Sequence, residues 1–306
     1  MGPGDVPAGG HLSPERLGGG RRRPIRPVRA GMLRRLIAAV VLAGFSSCVF
    51  AAQKPLWELG LGVGALSFPD YPGSDQQRLY VVPLPYLVYR GKYLRAGRNG
   101  IQGRLFWGDR VHLYISLSAS PPVNDSDNSA RRGMPDLRPM VELGPGIDVR
   151  LWRSANARMH LDLRLPVRTA ITIQFTPRQV GWLFTPTLSL GVSNVAGWSG
   201  SRLGVEAGPL FANRSYNQTF YGVPPAFATP ARPAYSANGG YSGAQLTVSL
   251  SRRFSRYWIG AFVRYQNISG AVFADSPLVV QKQNVLFGVG ATWVFGQSSR
   301  LVDTGD

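Results

Sequence analysis

His112, Ser116, His160 and Asp162 are the residues of this 306-residue chain whose types could do hydrolytic chemistry. An imidazole beside a hydroxyl or a carboxylate is the core of an activated nucleophile. Along a strand, His112 would share a face with Ser116 and His160 would share one with Asp162, because side chains alternate sides. That face also carries Glu142, Arg150 and Arg164. A hydrolase acting on lipid would need its nucleophile at a rim, turned to the bilayer, so these groups are expected to fill a polar interior and not to catalyse. The segment DSDNSARRGMPD places Asp125, Asp127 and Asp136 at the first, third and twelfth positions of a calcium loop. It lacks the glycine at position six and the glutamate at twelve, and two arginines intervene, so a solvated loop is expected there. No zinc motif, phosphate loop or internal repeat occurs, and neither metal nor cofactor is expected.

Strands are what would position these residues. In NVLFGVGATWVF (284–295), Val285, Phe287, Val289, Ala291, Trp293 and Phe295 form one greasy row, while Gly288, Gly290 and Thr292 leave the other face nearly bare. The alternation returns in LWELGLGVGAL, RVHLYISLSAS, MVELGPGIDVRL, MHLDLRLPVR and SGAQLTVSLS. A soluble β-sandwich also alternates. Here, however, the polar face carries glycine and charge in strand after strand, and no helical segment appears after residue 51. The pattern predicts an all-β chain, a transmembrane antiparallel β-barrel, apolar toward lipid and polar toward the lumen. Twelve strands are predicted, at 56–67, 78–90, 92–96, 101–107, 110–120, 137–151, 157–174, 180–194, 202–212, 239–251, 256–268 and 283–295. Short connections such as RSANA, AGWSGS and RRFSR alternate with mostly long ones, which assigns the short turns to the periplasm and the long loops to the outside. Trp57, Trp107, Trp152, Trp198, Trp258 and Trp293 then all fall at the periplasmic ends, as an aromatic girdle would. Phe295 resembles the C-terminal aromatic by which outer-membrane barrels are recognised for assembly, and residues 296–306 beyond it are expected to be a dispensable tail.

Composition fits a protein of the cell envelope. From Met32 the chain reads as a signal peptide (32–51): Arg34 and Arg35 as a basic start, Leu36 to Phe45 as an apolar run, and Val49-Phe50-Ala51 before a cleavage site. Residues 1–31 read as an artefact of a start assigned too early, or as a disordered extension, with the former favoured. The remainder, 52–306, is the barrel. Cys48, the single cysteine, lies inside the leader, so the mature chain is expected to lack disulfides and cysteine metal sites. The net charge of +18 is partly concentrated in residues 1–51, which hold eight arginines against two acids. The remaining basic residues are scattered, which favours anionic lipid head groups or sugar acids over a nucleic-acid groove.

Several stretches, namely PLWELGLGVGAL, FPDYPGSD, PYLVYRG, NGIQGRLF and above all ARRGMPDLRPMVELGPGIDVRL, resemble the MipA/OmpV family of Gram-negative outer-membrane proteins, from about Pro55 to Phe295. The resemblance implies an outer-membrane barrel without enzymatic activity. It marks Asp70, Tyr71, Gly73, Ser74, Asp75, Arg131, Gly133, Met134, Pro135 and Asp136 as motif positions of unassigned role. It also implies a scaffold for murein-remodelling enzymes, with a lytic transglycosylase and a penicillin-binding protein as partners and outer-membrane lipids around it. The alternatives are a narrow diffusion channel for small anionic solutes and a surface adhesion protein. For a periplasmic partner, Arg253 and Phe254 in the turn 252–256 are the candidate contact, because an aromatic flanked by arginine is enriched at hot spots. Contact of the same turn with lipid head groups is the competing reading.

Overall fold

The computed structural model describes residues 53–91, 94–97, 100–103, 110–120, 122–124 and 128–303. The predicted leader, Cys48, Trp107, Asp125 and Asp127 lie outside the described residues. One antiparallel sheet of thirteen strands dominates. Its members are β2 (Trp57–Pro69), β3 (Gln77–Arg90), β4 (Leu94–Gly97), β5 (Gly100–Gly103), β6 (Val111–Ser120), β7 (Met140–Arg153), β8 (Met159–Thr172), β9 (Gln179–Phe184), β10 (Thr187–Ser193), β11 (Ser201–Ala212), β12 (Gly240–Arg253), β13 (Tyr257–Asn267) and β14 (Gln283–Gln297). A helix, α1 (Arg214–Tyr221), follows β11. Two short strands, β1 (Gln53–Pro55) and β15 (Leu301–Asp303), pair with each other.

The sheet closes into a barrel. β8 pairs with both β9 and β10, and β11 also pairs with both, so β9 and β10 are two halves of one stave. Thirteen strands therefore make twelve staves among the described residues, the number predicted. The predicted single strand 180–194 is interrupted at Thr185-Pro186 because proline has no N–H to give the ladder. Gly208 of β11 admits the detour, since a Cβ there would come within 2.0 Å of the Pro186 carbonyl oxygen.

The two faces sort as the alternation requires. Val285, Phe287, Val289, Trp293 and Phe295 are exposed on the outer wall, while Asn284 and Thr292 between them are buried. Trp57, Leu59, Leu61 and Val63 of β2, Ile115 and Leu117 of β6, and Leu246, Val248 and Leu250 of β12 likewise face out. Glu58, Ser116, Glu142, Asp148, Asp162 and Thr247 are buried within. One tryptophan departs from the expected girdle. Trp57, Trp152, Trp198 and Trp293 are exposed, but Trp258 shares the inner face with Arg264 and lies 6.2 Å from the Tyr86 ring, because Tyr257 and Ile259 take the outward positions.

The C-terminal tail is not loose. β14 runs to Gln297, and β15 pairs residue for residue with β1, Gln53 opposite Asp303 and Pro55 opposite Leu301. Leu56 N donates to Arg300 O at 2.9 Å and Ser298 N to Trp57 O at 2.9 Å. The expectation of a dispensable tail is thus corrected: backbone hydrogen bonds tie both ends of the barrel chain together on the short-turn side.

Two outcomes test this architecture. Val289→Arg, mid-way along β14 on the outer wall, is expected to cost about 2–4 kcal/mol in a urea titration of folding into lipid vesicles, against about 0–1 for Gln297→Arg at the rim. Equal costs would mean the lipid face is misassigned. Truncation after Arg300 is expected to lower the temperature at which the heat-modifiable folded form is lost; an unchanged transition would make the clasp of β1 with β15 incidental.

Candidate functional site

The long connections do not stand away from the barrel. Residues 70–76, 128–137, 213–239 and 268–282 pack on one another and on the upper inner wall around a core of Tyr71, Met134, Phe220, Tyr221, Phe273 and Leu278. The rings of Tyr221 and Phe273 stack at 3.6 Å between centroids. Each tyrosine also carries a hydrogen bond across loops: Tyr71 Oη donates to Leu278 O at 2.9 Å and Tyr221 Oη to Pro72 O at 2.9 Å. Burial pushes both phenols well above the usual tyrosine range, so both remain protonated donors. The result is a cap across the outer mouth, with aromatic packing inside and backbone carbonyls as its commonest acceptors.

Several motif positions fasten this cap. Asn128, fully buried, donates through Nδ2 to Asp70 Oδ2 at 2.8 Å and to Ser74 Oγ at 2.9 Å. Asp70 Oδ1 takes Arg78 Nε at 2.7 Å. Gly73, at φ +103°, turns its N–H onto Asn284 Oδ1 at 2.8 Å, and Asn284 Nδ2 donates back to Ser74 O at 2.9 Å. Arg131 is buried and donates to Phe220 O at 3.1 Å and Pro135 O at 3.2 Å. Its burial lowers the guanidinium's pKa, which the nearby Asp136 partly opposes. Met134 joins the core, while Gly133, Pro135 and Asp136 lie at the surface. Asp75 is exposed beside the Gln76 amide, at 3.1 Å. FPDYPGSD and ARRGMPDL are therefore brought together, but as structure and not as a reactive centre. Asn128, Tyr221, Phe273 and Asn284 complete the cap without being marked by the motif reading. Loop residues have no periodic signal that could have singled them out.

Below the cap, opposite charges bridge the lumen wall. Glu142 accepts from Tyr216 Oη at 2.9 Å and faces Arg168 at 3.2 Å. Arg164 joins Glu206 at 2.7 Å and Asp148 at 3.6 Å. Asp162 takes Arg150 at 2.8 Å, with His160 at 3.7 Å. At the short-turn end Glu58 holds Arg90 at 2.6 Å and Arg253 at 2.7 Å. Three of the hydrolase candidates, Ser116, His160 and Asp162, are absorbed by this network. Ser116 Oγ accepts from Arg168 at 3.3 Å. His112 and Ser116, four residues apart on one strand, are separated by about 13 Å at the strand rise. A cavity of about 50 Å³ lined by Leu183, Leu210, Phe211, Tyr216, Phe220 and Phe273 lies under the cap, well below the roughly 300 Å³ at which ligand pockets begin.

The predicted partner contact is split. Arg253 points inward, and its guanidinium also donates to the Phe254 carbonyl, so it is engaged in holding its own turn. Phe254 is exposed beneath Arg252, whose guanidinium carbon lies 4.8 Å from its ring centre.

Comparison with known proteins agrees with this architecture. The family model described as MltA-interacting protein MipA matches residues 61–295. The chain is 26% identical over 239 residues to outer membrane protein OmpV of Vibrio cholerae serotype O1, covering 76% of this chain and 85% of that protein. It is 25% identical, with the same coverage, to outer membrane protein Omp26La of Vibrio anguillarum. Among solved structures, outer membrane phospholipase A from Escherichia coli superposes with a TM-score of 0.36 at 11% identity, over 84% of this chain and 96% of that one. That fit is too loose to carry an argument about activity.

The cap yields a prediction. Asn128→Ala leaves Asp70 and Ser74 each short of a donor and is expected to cost about 1–3 kcal/mol locally. Limited trypsin treatment of the reconstituted protein should then cut after Arg131, which is protected in the parent, while the barrel stays heat-modifiable. Unchanged resistance would mean that Asn128 does not hold the cap.

Proposed function

Because the chain belongs to the MltA-interacting protein MipA family, we propose that this outer-membrane barrel is a non-enzymatic scaffold that holds a murein-remodelling enzyme against the inner face of the outer membrane. A lytic transglycosylase is the expected partner, with a penicillin-binding protein as the second member of the assembly. The observation that supports this reading is the cap: four loops pack around Tyr71, Tyr221 and Phe273 at the outer mouth. The alternative, a diffusion channel for small anionic solutes, requires a continuous water path. The packed loops of the cap count against it.

The partner surface would lie at the short-turn end. It comprises the clasp of β1 with β15, where Leu301 is exposed, and the turn 254–256. Arg256, exposed on that turn, takes the place expected of Arg253. A two-stranded ribbon of this kind can be extended by a third strand of a partner.

Capture of a purified lytic transglycosylase by the reconstituted barrel tests the proposal. Leu301→Asp combined with Arg256→Glu is expected to weaken capture about tenfold or more, the scale of a hot-spot loss, with the heat-modifiable fraction unchanged. Steady conductance of the parent protein in a planar bilayer would favour the channel. Capture that survives the double change but fails when the loop 122–139 is replaced by a short linker would place recognition outside and favour adhesion.

A further inference from the structure

Five lumen arginines, Arg90, Arg150, Arg164, Arg168 and Arg253, each meet a carboxylate. Among the described residues, the outward Arg252 meets none. It continues the outward row of Leu246, Val248 and Leu250 on β12 and lies opposite Ile259 and Ser201 of the neighbouring strands. Its guanidinium carbon sits 5.8 Å from the ring centre of Trp198 and 4.8 Å from that of Phe254. Its Nε is buried without an acceptor, and among the described residues no carboxylate or carbonyl takes any of its donors.

This arrangement is built, not accidental. The Trp198 wall is fixed by its turn: Trp198 N donates to Val195 O at 2.9 Å, and Ser201 Oγ donates to Trp198 O at 2.7 Å. The Phe254 wall is fixed by Phe254 N donating to Tyr257 O at 2.7 Å and by the Arg253 guanidinium on the Phe254 carbonyl. Two aromatic faces hold a cation in place but supply no hydrogen-bond acceptor. The exposed Trp57, Trp198 and Trp293 set this level as that of the lipid head groups. A permanent cation at the edge of hydrocarbon, with a rigid fork of donors unmet by protein, calls for a planar or tetrahedral oxyanion.

We propose that Trp198, Arg252 and Phe254 form a head-group site on the outer wall that binds the phosphodiester of an anionic phospholipid in the periplasmic leaflet. The occupant carries no ammonium group. Arg256, exposed on the same turn, makes the surroundings cationic, which disfavours a zwitterionic head and favours phosphatidylglycerol. The lipid's acyl chains would lie along the exposed Leu250 and Ile259.

The test is native mass spectrometry of the barrel released from bilayers of phosphatidylethanolamine with phosphatidylglycerol as the minor lipid. The parent is expected to retain phosphatidylglycerol against its dilution, and Arg252→Gln to reduce that retention about tenfold, equivalent to losing one charge-assisted pair. Arg252→Lys keeps the charge and the outward position but loses the fork, and should fall between the two. It also provides the reading if the glutamine variant folds poorly. Trp198→Ala should weaken retention through loss of the cation's wall, and Arg256→Gln should narrow the preference for phosphatidylglycerol over phosphatidylethanolamine without abolishing retention. Added inorganic phosphate is expected not to displace the lipid. Retention of phosphatidylethanolamine equal to phosphatidylglycerol by the parent, equal retention by parent and both Arg252 variants, or displacement by free phosphate would each overturn the proposal.

Discussion

A backbone N–H or C=O left unpaired in hydrocarbon costs several kcal/mol, and water is not there to relieve it. Every other feature of this molecule follows from meeting that demand. The sheet must close, and it does so even across Pro186, where one stave is assembled from two halves that share the same neighbours. The clasp of β1 with β15 pairs backbone groups beyond the last full stave, so residues 53–55 and 301–303 are bound in the same way as the staves. Closure also divides the side chains into two populations with opposite requirements, because neighbouring residues of a strand can never face the same medium.

The outward population needs only to be apolar, whereas the inward one must be satisfied group by group. Buried charges are tolerated when paired and costly when alone, which is why Glu58, Glu142, Asp148 and Asp162 each meet an arginine from another strand. At the outer mouth the loops bring their own apolar core. Its polar atoms are met by Asn128, Asn284 and Arg131, each placed to serve two partners. Asp70, Tyr71, Gly73, Ser74, Arg131 and Met134, which looked like a signature of function, lie in the packing and hydrogen bonding of these loops.

How far this could be read in advance depends on whether a residue answers to period two. Strand number, the two faces and the sides carrying long and short connections were legible, because each rests on alternation or on turn composition. The match of the family model over 61–295 agrees with the resemblance carried by the motif stretches. The interruption at Pro186, the inward turn of Trp258 and the pairing of the tail were not legible. Each depends on a partner distant in sequence: Gly208, Tyr86, and Gln53 to Pro55. Motif positions could be pointed to, but their role became plain only with Asn128 and Asn284 beside them.

Arg252 and Arg253 show why composition alone misleads here. They are adjacent and chemically identical, and a reading of the turn as a basic patch treats them as equivalent. The strand sends one to each side. Arg253 meets Glu58 from β2, at 2.7 Å, and becomes part of the wall's internal bracing. Among the described residues Arg252 meets two aromatic faces and no anion, so on this reading its remaining requirement comes from whatever bathes the barrel. In lipid the polar complement of an outward arginine is a head group, and a barrel that fixes such an arginine rigidly selects among head groups by charge. The constraint that seals the backbone therefore also decides which arginine is structural and which one faces the membrane.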